Sequence, residues 1–346
     1  MNSYQRVINT LTGQPVDRLP IFAVLGAYGT KLIESDLRTL FSDASTYVAG
    51  QKALQSEFGF DLVVTAFDYS AIAEAFGGEV VWFADQVPNM KRPAVRNAAD
   101  ALLLPLPDLQ KSGRLPMILE ATKQLAGLYK EQVPIISALP GPCILPSLLI
   151  GLEQWMEVTL FDPGLAQKIL DYTASFFVVW AKALLDAGAD CLVLTEGMAS
   201  AEIAPRKMFA DQFLPHLKTC MAQINGPMVI SSTGGRMNHV LDLFQGLNGF
   251  VGIIAGARDD LSEARRLLGP DSTLIGNLDN LTLSAVPAAE VYSMSLECLR
   301  TAAPSGRYIL ANAGAEVPQG TPAENLRAIM AAGATVSAEL GVAHDG

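Results

Sequence analysis

Two carboxylates stand where apolar runs of the sequence end. Glu196 follows the run DCLVLT (190–195), and Asp68 follows DLVVTAF (61–67). A carboxylate that emerges from a buried strand is partly desolvated, which raises its pKa toward neutrality and lets it donate a proton. We therefore predict that Glu196 and Asp68 are catalytic, and that Glu196→Gln abolishes turnover with the fold intact. Two structural interpretations stay open: an ion pair between Glu196 and an arginine, and an N-cap formed by Asp68.

Several other polar side chains stand at or just after the ends of apolar runs, and we predict that they bind substrate. They are Tyr28, Tyr69, Ser231, Thr233, Asn277, Asp279 and Asn312. The small-residue loop 231–235 can hold an anion or cap a helix, and residues 277–279 can instead join neighbouring loops. His216 and His239 are interpreted as packed or surface residues, and His344 as part of a frayed tail. No ligand spacing in the chain indicates a metal site.

Short apolar runs alternate with longer helical segments, which is typical of a parallel sheet with crossover helices. The predicted strands are 19–24, 61–67, 133–138, 190–195, 227–232, 249–254, 272–277 and 307–312. The predicted helices are 43–58, 97–111, 116–130, 163–187, 206–224, 236–245, 260–268, 287–302 and 322–339. We predict one (β/α)8 TIM barrel domain over residues 1–346, with a hairpin insertion in 69–96 after strand two. In such a barrel the active site lies at the carboxyl ends of the strands.

The composition excludes several classes of function. Half of the 346 residues are hydrophobic and only 17% are charged, which favours a large buried core. A net charge of -11 disfavours nucleic acid as a partner. The four cysteines are widely spaced, the first residues lack an apolar signal core, and the longest apolar runs are too short to cross a bilayer. We expect a cytoplasmic protein without a membrane or nucleic-acid partner, and a homodimer stays open.

Four segments carry a resemblance to a known superfamily. They are YQRVINTLTGQPVDRLPIF (4–22), FDYSAIAEAFGGEV (67–80), LIGNLD (274–279) and YILANAGAEVPQGTPAENLRAIM (308–330). The chain thereby resembles uroporphyrinogen decarboxylase and the cobalamin-dependent methyltransferases. The resemblance implies a uroporphyrinogen decarboxylase-like barrel with an N-terminal helical extension.

The thiol-methylating enzymes of this superfamily bind zinc through His-x-Cys-Gly after strand five and a Cys after strand eight. At the matching positions this chain has Ser231, Thr233 and Ala315. A hydroxyl or a methyl group cannot replace imidazole and thiolate as zinc ligands. We therefore expect no zinc at the usual family site.

The decarboxylases carry an arginine-containing MRQAGRY stretch after strand one, which holds the carboxylates of the porphyrinogen. The matching stretch here, 23–28, reads AVLGAY and has no arginine. Since carboxylates are bound by cationic partners, this substitution disfavours uroporphyrinogen as the substrate. Asp68 does lie where the resemblance places the decarboxylase aspartate.

The sequence therefore favours a methyltransferase-like enzyme that demethylates a small donor, such as a methoxylated aromatic compound or a methylated amine. The chain has no D-x-H-x-x-G corrinoid-binding motif, so the corrinoid (cobalamin) is expected on a partner protein. Glu196 or Asp68 would protonate the leaving oxygen or nitrogen. Two alternatives stay open. One is a lyase acting on a different carboxylate through Glu196, Asp68 and Arg258, and the other is a barrel that binds without catalysis.

Overall fold

A computed structural model describes residues 1–339 and shows a parallel sheet of seven strands that curls on itself. The strands lie side by side in chain order, apart from an antiparallel hairpin (β2 and β3) that forms a separate two-stranded sheet. The strands are β1 (Val63–Val64), β2 (Glu79–Val81), β3 (Asn89–Arg92), β4 (Ile135–Pro140), β5 (Cys191–Thr195), β6 (Met228–Ser231), β7 (Phe250–Ile254), β8 (Thr273–Ile275) and β9 (Tyr308–Ile309). His344 lies outside the described residues.

Helices connect the strands. They are α1 (Ser3–Thr12), α2 (Thr30–Ile33), α3 (Leu37–Leu40), α4 (Ala44–Phe58), α5 (Tyr69–Ala75), α6 (Leu115–Tyr129), α7 (Ser147–Ile150), α8 (Leu152–Phe161), α9 (Pro163–Asp186), α10 (Arg206–Met208), α11 (Leu214–Met221), α12 (Leu261–Leu268), α13 (Thr282–Ala285), α14 (Ala288–Ala302) and α15 (Ala323–Glu339). No helix within residues 1–339 has the length and apolar character needed to pass through a bilayer.

Side chains alternate between the two faces of the curled sheet. In β5, Val193 and Thr195 point to the inside, where they line a cavity, whereas Leu192 and Leu194 are fully buried against the outer layer. The same alternation places Ile136 and Ala138 of β4 on the inside. Both faces of a parallel sheet are covered, so its strands are apolar almost throughout. This alternation decides which strand-end residues can reach the cavity.

The first predicted strand, 19–24, is wrong as a regular strand. It makes one isolated bridge, between Ile21 and Leu310, and the Ile21 carbonyl accepts a hydrogen bond from the Asp61 backbone N–H at 2.9 Å. The segment therefore lies between β9 and the start of β1. Proline lacks the N–H that a strand donates, so Pro20 cannot extend the ladder toward the amino end.

Three predicted helices are also different in the structure. Helix 97–111 is a short 3-10 segment at Ala98–Leu103, because prolines follow at 105 and 107. Helix 236–245 is likewise a 3-10 segment, Asn238–Phe244, and helix 206–224 is interrupted by a π-helical turn at Phe209–Phe213. The predicted hairpin within 69–96 is confirmed as β2 and β3.

Candidate active site

A cavity of about 170 Å³ opens at the carboxyl ends of the strands, inside the curled sheet. Most of its lining is apolar, contributed by the inward-facing residues of the strands and by the 19–24 segment. Phe67 and Tyr69 form an edge-on aromatic pair in its wall, with ring centroids 5.2 Å apart. Within residues 1–339, no lysine, arginine or histidine is among the residues that line it.

One wall carries four hydroxyls, which we call the hydroxyl cluster: Tyr69, Thr195, Ser231 and Thr233. Burial raises the pKa of the Tyr69 phenol to about 12, although hydrogen bonds with Thr195 and Thr233 oppose that rise. The Ser231 Oγ accepts a hydrogen bond from the backbone N–H of Thr233 at 3.1 Å. The cluster is therefore uncharged near neutral pH and can offer hydrogen bonds to a neutral ligand.

Another part of the wall carries the carboxyl group of Glu316, in the loop after β9. Its Oε1 accepts a hydrogen bond from the Ala27 backbone N–H. Desolvation raises the pKa of Glu316 to about 7, opposed by the backbone N–H groups of Ala27, Gly26 and Tyr28. A substantial fraction of this carboxyl group is therefore protonated at neutral pH.

The second carboxylic acid at the cavity, Asp68, is held by an arginine. Its Oδ2 lies 2.5 Å from Nη1 of Arg114, and its Oδ1 accepts a hydrogen bond from Arg114 Nη2 at 3.1 Å. Oδ1 also accepts from the backbone N–H of Ala71 at 2.9 Å, so Asp68 is the N-cap of α5. The N-cap interpretation left open by the sequence is thus confirmed, and an ion pair accompanies it.

The hairpin β2–β3 covers one side of the cavity. Val87, Pro88 and Asn89 of its loop and second strand belong to the lining. The hairpin is attached to the wall by Trp82, whose ring centroid lies 5.0 Å from the guanidinium carbon of Arg114. The guanidinium carbon of Arg38 lies 4.9 Å from the same centroid. Arg114 therefore contacts both the hairpin and the acid at the cavity wall.

Glu196 is fully buried and is not among the cavity-lining residues. Its Oε2 accepts a hydrogen bond from the Cys143 backbone N–H at 2.9 Å, and its Oε1 accepts from the Met198 backbone N–H at 3.1 Å. Desolvation raises its pKa to about 7, opposed by the N–H groups of Cys143 and Met198. Because Thr195 faces the cavity, the alternation of the strand turns Glu196 toward the 141–144 loop.

Four predicted binding residues lie outside the cavity lining. The Tyr28 hydroxyl donates to the Thr321 carbonyl at 3.0 Å, and Asn312 Oδ1 accepts from the Val24 N–H at 2.8 Å. These two hydrogen bonds join the 19–24 and 26–30 segments to the C-terminal loops.

The other two make contacts between loops or cap a helix. Asn277 Nδ2 donates to the carbonyls of Gly256 and Asp259, both at 2.9 Å. Asp279 Oδ2 accepts from the Thr282 hydroxyl at 2.6 Å, at the start of α13. The Asn277 contacts agree with the loop-joining alternative that the sequence left open for 277–279, whereas the Asp279 contact is local.

The structure therefore brings together Asp68, Tyr69, Ser231 and Thr233 from the predicted set. Sequence reasoning missed Glu316, Thr195 and Arg114. Glu316 lies in the segment NAGAEVP, directly after the position where the resemblance implies a zinc-binding cysteine, and that adjacency was the available signal.

The residues at the three implied zinc positions do not fit the metal. Thr233 Oγ1 donates to the Ser232 carbonyl at 2.6 Å, Ser231 Oγ is engaged by the Thr233 N–H, and Ala315 carries only a methyl group. Zinc in proteins prefers thiolate and imidazole, which these positions lack. Within residues 1–339 no group of three or more His, Cys, Asp or Glu residues is arranged to hold a metal ion.

A parallel sheet with a cavity at the carboxyl ends of its strands, lined by a glutamate of raised pKa, defines an enzyme-like α/β protein. The profile of the uroporphyrinogen decarboxylase (URO-D) family matches residues 2–336, and the chain belongs to that family.

Its relatives include both activities of the family. The chain is 25% identical to methylcobamide:CoM methyltransferase MtaA of Methanosarcina barkeri over 334 residues, covering 94% of this chain and 96% of the relative. It is 24% identical to uroporphyrinogen decarboxylase of Anaeromyxobacter sp. over 343 residues, covering 94% and 96%. A solved methyltransferase structure from Methanosarcina mazei superposes with a TM-score of 0.86 at 22% identity, covering 97% and 99% of the two chains. The chain is an enzyme, and methyl transfer is the better supported activity.

Proposed function

We propose that this enzyme moves a methyl group from a small, uncharged methylated substrate to a corrinoid that a partner protein carries, without activating a thiol through zinc. A methyl ether of a single aromatic ring is the preferred donor. The observation that carries the proposal is the cavity wall, where hydroxyls and a carboxyl group surround an apolar space without a cationic side chain among its described lining residues.

The size of the cavity supports a one-ring substrate. A volume of about 170 Å³ is slightly above the roughly 150 Å³ of an apolar protein cavity known to hold benzene. Phe67 and Tyr69 add aromatic edges and faces against which such a ring can pack. A corrin macrocycle is far larger than this space. The corrinoid would therefore remain on its carrier protein and contact the substrate at the opening of the cavity.

The charge of the cavity disfavours the lyase alternative. A substrate that carries carboxylates needs cationic partners in a desolvated site. Arg114, which contacts the lining residue Asp68, already pairs with Asp68 and Glu74. A neutral donor needs no such partner and can hydrogen-bond to the hydroxyl cluster.

The proposal has two further parts, a complete barrel, which backbone hydrogen bonds support, and an assignment of the proton donor, which comes from the sequence. The hydrogen bonds on both sides of Ile21 support a complete (β/α)8 barrel in which the 19–24 segment takes the place of an eighth strand. The assignment of proton donation to Glu196 or Asp68 stays a prediction.

The proposal is tested by incubating the purified chain with chemically reduced cob(I)alamin and a panel of donors. Anisole and 2-methoxyphenol are the neutral donors, and 3-methoxybenzoate is the matched anionic donor. We expect loss of the cob(I)alamin absorbance and release of the phenol with the neutral donors only. Addition of a zinc chelator should leave the rate unchanged.

Three results would contradict the proposal. The first is turnover of 3-methoxybenzoate in preference to anisole, and the second is release of carbon dioxide from a carboxylate substrate. The third is methyl transfer to a thiol that stops when the chelator is added.

A further inference from the structure

We propose that Glu316 is the proton donor of this enzyme and delivers its proton to the ether oxygen as the methyl group leaves. This inference rests on the proposed function and deepens it. It concerns a residue that the sequence prediction did not select, and it is carried by the positions of the acids around the cavity.

The first step of the argument is access. Glu316 is partly exposed and lines the cavity, whereas Glu196 has no exposed surface and binds the backbone of the 141–144 and 197–199 segments. A general acid must come within hydrogen-bonding distance of the atom that it protonates. Of these two glutamates, only Glu316 meets this condition without a rearrangement of the wall.

The second step is the availability of a proton. Asp68 also lines the cavity, but the Arg114 guanidinium contacts both of its oxygens, at 2.5 and 3.1 Å. A carboxyl group that accepts N–H bonds from a guanidinium at both oxygens has neither oxygen free to hold a proton toward the substrate. Among the described residues, no ion pair joins Glu316 to a cation.

The third step is the way in which Glu316 is held. Its Oε1 accepts the Ala27 N–H, which anchors one side of the carboxyl group to the 26–28 backbone. Gly26 permits this approach, since a Cβ at that position would lie 3.3 Å from Oε1 and 3.4 Å from Oε2. A carboxyl group fixed by its backbone contacts keeps its direction without the need for a counter-charge.

The groups that face Glu316 are consistent with a proton held near neutrality. Desolvation is the main cause of its raised pKa of about 7, three backbone N–H groups oppose the rise, and the charge of Asp68 adds to it. Tyr47 is the other titratable neighbour, and burial first and the Glu316 charge second raise its pKa well above the usual value. Tyr47 therefore stays a neutral phenol throughout the working range.

The reaction then balances as follows. The bond between the methyl carbon and the ether oxygen breaks, and its electron pair stays on the oxygen. The carbon forms a new bond to cobalt with the electron pair of the cob(I)alamin co-substrate, so cobalt is formally oxidised by two electrons as the methyl group is transferred. The Glu316 proton goes to the oxygen to give the phenol, and water reprotonates the carboxylate.

The experiment compares Glu316→Gln with the wild-type enzyme on two neutral ethers, anisole and 4-nitroanisole. Protonation matters most for a poor leaving group, and 4-nitrophenolate leaves far more readily than phenolate. We expect the variant to lose about 10²–10⁴-fold in kcat with anisole and less than about tenfold with 4-nitroanisole. The wild-type rate with anisole should fall as the pH rises through about 7, and the variant should lack that fall.

Glu196→Gln tests the competing assignment, because Glu196 follows the cavity-facing Thr195 and its pKa is also raised to about 7. An equal loss for both ethers in Glu316→Gln, or an unchanged pH profile, would overturn the role of Glu316. A differential loss in Glu196→Gln would assign the proton to Glu196 instead and overturn it too. If the wild-type enzyme transfers a methyl group from neither ether, the proposed function fails, which is a distinct result.

Discussion

Glu196 and Glu316 share a pKa of about 7 for the same main reason, desolvation, yet they face different surroundings. Glu196 points away from the cavity and accepts two backbone hydrogen bonds that fix the neighbouring loops. Glu316 is held by the backbone N–H groups of residues 26–28, of which Ala27 donates to Oε1, and it also lines the cavity. The comparison teaches that a shifted pKa identifies a desolvated acid, whereas the direction of the side chain decides what that acid can reach.

The comparison depends first on Asp68 staying paired with Arg114, and Arg114→Met tests that condition. The substitution leaves a buried carboxylate without its partner, so we expect the free energy of unfolding to fall by about 3–5 kcal/mol. Urea unfolding measures this loss. In the double variant Asp68→Asn with Arg114→Met, part of the stability should return, because asparagine keeps the N-cap of α5 without the charge. A single variant as stable as the wild type would show that Asp68 does not depend on Arg114 for its place in the wall.

The second prediction distinguishes Glu196 from Glu316 by the free energy of unfolding and its pH dependence, and not by the reaction rate. The folded state raises the pKa of Glu196 from 4.5 to about 7, so its contribution to stability is complete below 4.5 and is lost as the pH rises through 7. The loss corresponds to roughly 3 kcal/mol in the free energy of unfolding. We expect Glu196→Gln to be less stable than the wild type at about pH 5 and to change less between about pH 5 and pH 8.

The reason for the lower stability of Glu196→Gln is geometric. An amide NH₂ group would face one of the two backbone N–H donors, Cys143 or Met198, and leave it without an acceptor, at a cost of about 1–3 kcal/mol. Urea titrations at the two pH values check both parts of the prediction. A variant with the full wild-type pH dependence would place the titrating group elsewhere.

The smallest expected effect concerns the fit of Gly26 against Glu316. The backbone of Gly26, with φ of −76°, accepts alanine without strain, but the added Cβ would press on the carboxyl group at 3.3 Å. We expect Gly26→Ala to lower kcat by less than about tenfold, because a shift of a few tenths of an ångström weakens the alignment of the acid. The change in unfolding free energy should stay within about 1 kcal/mol.

Gly127→Ala, within α6, is the control for that substitution. A Cβ there meets nothing within 4 Å, and alanine favours a helix interior by roughly 0.5–1 kcal/mol. Its kcat should equal that of the wild type. Equal rates in both alanine variants would indicate that the position of Glu316 does not limit the reaction.

Much of the fold follows from the alternation of apolar runs and helical segments. Seven of the predicted strands are present, six of them shorter than predicted and β4 shifted by two residues, and the inserted hairpin is confirmed. The failures have local causes. Pro20 removes a ladder donor from the first strand, and the 206–224 helix passes through a π-helical turn that no simple periodicity reveals.

The site was harder to predict, because position along the chain does not give side-chain direction. Thr195 is the last residue of the apolar run 190–195 and Glu196 follows it, yet the Thr195 side chain faces the cavity and the Glu196 side chain faces away from it. Which of these two side chains faces the cavity depends on which residues of β5 face the helices. The run DCLVLT is too apolar on both faces for its sequence to indicate this. Glu316 was missed for another reason, since the backbone that holds its carboxyl group, residues 26–28, is nearly 290 positions away in the chain.

The hairpin β2–β3 has a consequence for engineering. Residues 79–92 form a continuous segment that supplies Val87, Pro88 and Asn89 to the cavity and is attached through Trp82 between two arginines. Since it is a separate two-stranded sheet, its tip can be exchanged as a cassette while Trp82, the main sheet and all three acids stay in place. A library confined to 83–89 would therefore vary the shape of the binding space without disturbing the groups that handle the proton.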